Sequence, residues 1–293
     1  MNYYEEIKNK LIDNEIIKRV KDYTKNKSDL STYYNVGKLL SEAGKCYGEG
    51  IIKEYSKKLT EEIGKKYSYR TLNYMIKFYK IQKMQSVTAN LSWGHWIEVL
   101  SIKDIDKIKY YARQCEVLLL TTRQLREKIK NNEYERLDKN TRLKLVNNEE
   151  EKIGDLVKNP ILIKNSYSYT NVSEKILKKL ILEDLDNFMS ELGDGFCYIG
   201  SEYKIKIGDR YNYIDLLLFN IEFNCYTVVE LKITELKKEH IGQIEVYMNY
   251  IDNNLKKVTQ DKTIGIIIVK KDNHFIMEYC SDDRILSREY SLI

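Results

Sequence analysis

Along residues 1–135 the apolar positions recur every three or four residues. "EIIKRVKDYTKNK" and "YYNVGKLLSEAG" carry this spacing, which predicts amphipathic helices. "GIIKEYSKKLTEEIGKKYSYRTLNYMIKFYKIQKM" predicts two more around a break at "GKKYS". The first should end near Gly64 and the second should start on Ser68 as N-cap. "LSWGHWIEVLSI", "DIDKIKYYARQCEVL" and "TTRQLREKIKNNEYERL" continue the pattern, with Thr122 the expected N-cap of the last. Residues 136–165 are polar and end in "VKNPILIKN", which reads as a boundary. The expected organisation is an all-α domain over 1–140, a linker over 141–164 and a second domain over 165–293.

Beyond the boundary the period changes. "SEKILKKLILEDLDNFMSELGDG" predicts one amphipathic helix stopped by Gly193 and Gly195. "FCYIGSEYKIKIG", "NYIDLLLFN", "CYTVVELKI" and "KTIGIIIVK" are rich in β-branched and aromatic residues between turn residues, and predict strands. A helix, "KKEHIGQIEVYMNYIDNNL", falls between the last two, and "HFIMEYC" and "REYSLI" read as edge strands. That order predicts an α/β layer with a mixed central sheet.

Charge changes the picture. Residues 1–150 hold 30 Lys/Arg and 21 Asp/Glu, and residues 151–293 hold 19 and 23. A basic half beside an acidic half suggests that one meets polyanion and the other holds cations. The single Pro and 13 Gly speak against long disordered linkers. Five widely spaced cysteines exclude a zinc ribbon and argue against a disulfide framework, so a reducing, cytoplasmic setting is expected. "MNYYEEIKNK" has no apolar signal region, and no apolar run reaches the length that crosses a bilayer, so no membrane partner is expected.

Two carboxylates interrupt the most apolar strands. Asp215 opens "DLLLF" and Glu230 sits in "VVELK", with 14 residues between them. That separation accommodates two strands and a tight turn at "NIEFN", so a hairpin can bring both acids to one point. Glu230 and Lys232 are two apart and project together. Two acids in apolar surroundings repel and lose hydration unless a cation lies between them. Mg²⁺, or Mn²⁺, suits such a pair because it takes oxygen ligands and keeps waters. Lys232 would then contact a phosphate. The alternative is a surface ion pair of Glu230 with Lys232 and a turn-capping Asp215.

The blocks "FMSELGDGFCYIGSEYKI", "YIDLLLF", "VVELK", "GQIEVYMNYID" and "TIGIIIVKKD", in that order, resemble the PD-(D/E)XK, restriction-endonuclease-like nuclease superfamily. With "YSKKL", "YSYRTLNYMIKFY", "LSWGHWIEVL" and "TTRQLREKI" upstream, the chain resembles the YhcG-type proteins, which join a helical domain to such a nuclease domain. The resemblance implies that Asp215 and Glu230 are metal ligands and Lys232 the catalytic lysine. It implies that Gln243 and Tyr247, four apart on one helix face, form a Gln-x-x-x-Tyr element beside the active site. It also implies DNA as substrate, Mg²⁺ as cofactor and a homodimer. One position departs from the family. Where a further acid is expected on the first helix of the domain, this chain has Lys178 after Leu177. Glu174, one turn earlier on the same face, is the preferred substitute ligand, whereas Glu183 faces elsewhere.

In the N-terminal half, the two helices around "GKKYS" resemble a helix-turn-helix. Tyr67, Ser68, Tyr69, Arg70, Thr71 and Asn73 would then lie at the exposed start of a recognition helix. Arg70, Ser68, Thr71, Lys65 and Lys66 are the expected nucleic-acid contacts; a solvated basic face is the alternative. Trp93 and Trp96 read as core anchors, and His95, His240 and His274 as isolated histidines without metal spacing. The chain therefore reads as a metal-dependent deoxyribonuclease. Its rivals are a weak or inactive binding protein that kept the fold, an RNA-directed nuclease, and a protein-interaction module.

Overall fold

The computed structural model describes residues 2–20, 25–48, 50–84, 91–147, 149–150 and 152–293. The chain separates into two compact units, Met1–Tyr134 and Glu135–Ile293. The first is helical: α1 (Tyr3–Val20), α2 (Lys25–Tyr47), α3 (Gly50–Glu62), α4 (Tyr69–Met84), α5 (Trp93–Leu100), α6 (Ile105–Val117) and α7 (Thr122–Lys130). Residues 21–24, within the helix expected over 15–27, lie outside the described residues. Ile7 and Leu11 of α1, Val36 and Leu40 of α2, Leu59 of α3 and Met75 of α4 share one core. The close approach of α2 and α4 depends on Gly37, where an added Cβ would lie 2.1 Å from the Met75 carbonyl oxygen.

Between α3 and α4 lies a 3-10 turn, Lys65–Tyr67. Ser68 does cap α4, its Oγ accepting from the Thr71 N–H at 3.4 Å. The expected N-cap of α7 is corrected by one residue. Thr121, not Thr122, accepts from the Gln124 N–H, and the Gln124 side chain returns the bond to Thr121.

The second unit holds α8 (Lys139–Asn147), α9 (Ile153–Leu156), β1 (Ile161–Ile163), α10 (Glu174–Glu183), α11 (Leu185–Leu192), β2 (Phe196–Ile207), β3 (Arg210–Asn220), β4 (Cys225–Glu235), α12 (Lys238–Asn254), β5 (Asp261–Lys271), α13 (His274–Glu278) and β6 (Ile285–Leu292). The strands form one mixed sheet in the order β1-β6-β5-β4-β3-β2. β2, β3 and β4 form an antiparallel meander, and β4, β5, β6 and β1 run parallel. Both faces are covered. Leu177, Leu180, Phe188 and Leu192 from α10 and α11 pack on Val229, Leu231, Ile266 and Ile268. Ile244, Met248 and Ile251 from α12 pack with Val228, Ile267 and Val269. Double burial is why β4 and β5 read as near-continuous apolar runs.

Several expectations change. Residues 141–164 are not a free linker but part of the second unit, and Ile161–Ile163 pair in parallel with Tyr290–Leu292. A buried pair fixes that strand: Arg136 binds both carboxylate oxygens of Glu191, and the Leu162 N–H donates to Glu191 Oε2 at 2.9 Å. β6 is consequently an interior strand, not an edge. "HFIMEYC" forms the short helix α13, because so short an apolar run fits either period. The single helix expected over residues 173–195 breaks at Asp184, whose φ of −131° and ψ of 55° are not helical, into α10 and α11.

Candidate active site

β3 and β4 pair only as far as Leu216↔Val229. Beyond that point the two strands part, β3 staying with β2 and β4 with β5. Asp215 and Glu230 stand at this fork. The Asp215 N–H donates to Glu230 Oε1 at 3.3 Å, and the Leu231 N–H donates to Asp215 Oδ2 at 2.9 Å. Side-chain acceptors thus satisfy amides that the ladder no longer pairs. Lys232 Nζ donates to Glu230 Oε2 at 3.2 Å. The structure therefore brings Asp215, Glu230 and Lys232 together.

Glu230 is only 2% exposed. Burial, reinforced by the charge of Asp215, pushes its carboxyl up to about 7, against the opposing pull of Lys232. A second lysine completes the cluster. Lys178 of α10 lies 2.5 Å from Asp215 Oδ1 and also contacts Glu202 of β2. Burial disfavours its charge, but hydrogen bonds to Asp215 and Glu202 outweigh burial and raise its pKa.

The donors at the fork are all oxygens on two adjacent acids, one of them buried beyond what its lysine neutralises. That chemistry fits a hard divalent cation such as Mg²⁺ or Mn²⁺, held by two carboxylates and its own waters. Among the described residues no group of three His, Cys, Asp or Glu side chains could hold a metal. Glu174 is therefore not brought to Asp215 and Glu230 as a third ligand. It sits in the first turn of α10, near enough to His240 to affect its titration. Lys178, one turn along, has taken the place beside Asp215. Glu183 is engaged elsewhere, accepting from the Tyr167 hydroxyl at 3.2 Å.

Gln243 and Tyr247 share a face of α12 as expected, the Gln243 amide donating to the Tyr247 hydroxyl at 3.1 Å. Tyr247 is buried in the core under that helix, so Gln243 is the more accessible of the two. His240 is less isolated than its sequence position suggests. Its Nδ1 accepts from the Lys237 N–H at 3.2 Å, and burial, with the charges of Lys232 and Lys237, holds its pKa below the usual imidazole value. Sequence reasoning missed Glu202. The signal was present, since a two-residue turn at Gly208-Asp209 sets a register in which 202 falls opposite 215.

In the helical unit, Arg70 is exposed and its Nε donates to the Tyr74 hydroxyl at 3.0 Å. The Ser68 and Thr71 hydroxyls bond each other at 3.1 Å, and Lys66 pairs with Glu15. The Lys65 side chain lies outside the described residues. Tyr67, expected at the exposed helix start, is 1% exposed and donates to Glu15, because its ring completes the core. His95 is structural, with Nε2 bonded to the Leu120 carbonyl at 2.9 Å and Nδ1 to Ser92.

A cavity of about 1210 Å³ lies elsewhere on the second unit, between Arg136, Lys144, Asp155, Arg284 and Arg288. None of the residues at the fork lines it. Four of the basic groups in its wall, Arg136, Lys144, Arg284 and Arg288, bond Glu191, Asp155, Asp282 and main-chain carbonyls.

Comparison with known proteins decides the family. Residues 154–291 match the YhcG PDDEXK nuclease domain, and residues 10–136 match the DUF1016 N-terminal domain. The chain belongs to the YhcG-type PDDEXK nuclease family. The second unit accordingly has a restriction-endonuclease-like fold. The "Putative nuclease YhcG" of Escherichia coli (strain K12) is 23% identical over 81% of this chain and 76% of its own length. Two solved structures overlap parts of the chain at 18% identity. A repair endonuclease from Pyrococcus abyssi covers 42% of this chain with a TM-score of 0.30. A complex described as EndoMS-dsDNA2 covers 43% with a TM-score of 0.32. This chain spans about half the length of each, 48%.

Proposed function

We propose that this YhcG-type chain is a Mg²⁺-dependent DNA endonuclease, with Asp215 and Glu230 holding the ion and Lys232 acting on the phosphate. The observation that carries this reading is the reciprocal bonding of Asp215 and Glu230 at the strand fork with Lys232 on Glu230. A divalent ion bound there supplies Lewis acidity and a lowered pKa for its water. At the fork each carboxylate accepts from a main-chain N–H beside the other. The Lys232 ammonium is placed to stabilise charge that develops on a phosphate oxygen. Gln243, oriented by Tyr247, offers its amide to the same phosphate or a neighbouring one. Arg70, Ser68, Thr71 and Lys66 of the helical unit supply sequence-independent phosphate contacts that dock DNA.

The test is nicking of supercoiled plasmid in MgCl₂ by the full chain, compared with Asp215→Ala and Lys232→Ala. Cleavage by the parent protein alone supports the reading. Equal activity in the parent and Asp215→Ala sinks it. Lys178, standing where an acid was expected, favours a second reading: a DNA-binding protein with weak or no catalysis. Salt-dependent DNA binding by a parent protein that leaves plasmid intact at every Mg²⁺ or Mn²⁺ concentration would decide for it.

A further inference from the structure

At its inner end the β2–β3 hairpin is packed on both sides, with Phe196, Leu216 and Leu218 in the core under α10 and α11, but one face of its outer part, residues 203–214, takes no part in that packing. Tyr203, Ile205, Ile207 and Ile214 pack with the core under α12. Side chains alternate along each strand, so their neighbours project the other way. On that other face the register pairs Lys206 with Tyr211 and Lys204 with Tyr213. Tyr211 is 57% and Tyr213 49% exposed. Both lysines are exposed, and Lys204 Nζ lies 3.8 Å from the centre of the Tyr211 ring.

Inward of these residues the pleat is interrupted at Glu202, whose φ of 50° is left-handed, and it is the shared contact with Lys178 that sets the next two acids on this side. Two residues beyond Tyr213 is Asp215, and two before Lys204 is Glu202. The flanking pairs Ser201↔Leu216 and Tyr203↔Ile214 set those acids opposite each other, and Lys178 contacts both. The stripe Lys206–Tyr211, Lys204–Tyr213, Glu202–Asp215 thus runs from the hairpin tip to the fork, about 13 Å along the strand.

Lysines on an edge strand are a common defence against edge-to-edge pairing, and β2 is an edge strand. That explains Lys204 and Lys206. It does not explain two half-exposed tyrosines on the inner strand, turned to the same side and continuous with Asp215. The geometry points to a binding face for an unpaired nucleic-acid strand, which it leads to Asp215. Lys204 and Lys206 match the backbone charge, and the two phenol rings offer stacking surfaces that only unstacked bases can use. Delivery to Asp215 rests on the nuclease reading above, whereas binding of the strand does not.

The experiment uses the full chain in EDTA, with fluorescence anisotropy on three labelled probes: an oligothymidylate strand, a blunt duplex, and a duplex with a single-stranded tail. Double replacement of Tyr211→Ala and Tyr213→Ala should weaken binding of the strand and the tailed duplex by roughly tenfold or more, and of the blunt duplex far less. Tyr211→Phe with Tyr213→Phe, which keeps the rings, should restore binding. Lys204→Ala with Lys206→Ala should reduce the salt slope for the strand by about 1.4. The inference is overturned if the parent protein does not bind the strand, if the double alanine variant binds it unchanged, or if the loss is equal on the blunt duplex. Strand binding by a protein that fails the plasmid assay would sink the nuclease reading alone. Plasmid cleavage with no tyrosine dependence of strand binding would sink this one alone.

Discussion

The ammonium of Lys178 lies 2.5 Å from Oδ1 of Asp215, the position where a cation would be bound. A lysine there competes with an incoming ion for the same oxygen. Lys178→Glu exchanges a competing charge for an added ligand, and should tighten Mg²⁺ binding on the order of tenfold. Isothermal calorimetry on the parent and the variant reads this directly. Unchanged affinity would show that Lys178 does not guard the ion position.

Glu230 sets a dependence of stability on pH. Its folded carboxyl is raised to about 7 from an ordinary value near 4.5, so the fold favours the protonated form. The contribution of that group is fully present below its unfolded pKa and is lost as pH rises through about 7. In EDTA, Glu230→Gln should match the parent near pH 4.5 and exceed it at pH 8 by on the order of 3 kcal/mol. Thermal melts of both proteins across that range test the sign. A parent that gained stability on the variant as pH rose would contradict the assigned burial.

Breaking the Arg136–Glu191 pair should unfold the second unit readily. Both side chains are under 10% exposed, and Glu191 also accepts from the Leu162 N–H. Glu191→Ala deprives the buried Arg136 guanidinium of its carboxylate, with the Pro160 carbonyl still among its acceptors, and should lower stability by about 3–5 kcal/mol in denaturant titration. A change below about 1 kcal/mol, typical of exposed pairs, would exclude the clasp.

Gly37→Ala tests the core of the helical unit. The new methyl would meet the Met75 carbonyl, which is backbone and cannot rotate away. A loss of about 1–3 kcal/mol is expected, read as a lower melting temperature. The higher helix propensity of Ala should give the opposite sign if α2 and α4 were farther apart.

Asp215, Glu230 and Lys232 were legible in the sequence because charges inside apolar strands have few reasons to be there. The hairpin argument needed only chain length and a turn. Lys178 was visible as a departure, but its bond to Asp215 depends on how α10 docks on the sheet, which no local pattern encodes. β1 escaped notice because three residues, Ile161–Ile163, carry no measurable period. α13 was misread for the same reason. Tyr67 illustrates the converse: flanked by lysines and serine it looked solvent-facing, yet the 3-10 turn rotates its ring into the core.

The parting of β3 from β4 has one more consequence. The amide hydrogens of Asp215 and Leu231 are quenched by the very carboxylates that a ligand would recruit. Whatever draws those acids away uncovers two main-chain donors at the same spot, and buried donors left bare are costly. An occupant bearing acceptor atoms of its own, as a phosphodiester does, relieves that debt, whereas a bare ion does not; metal and substrate should therefore favour one another's arrival.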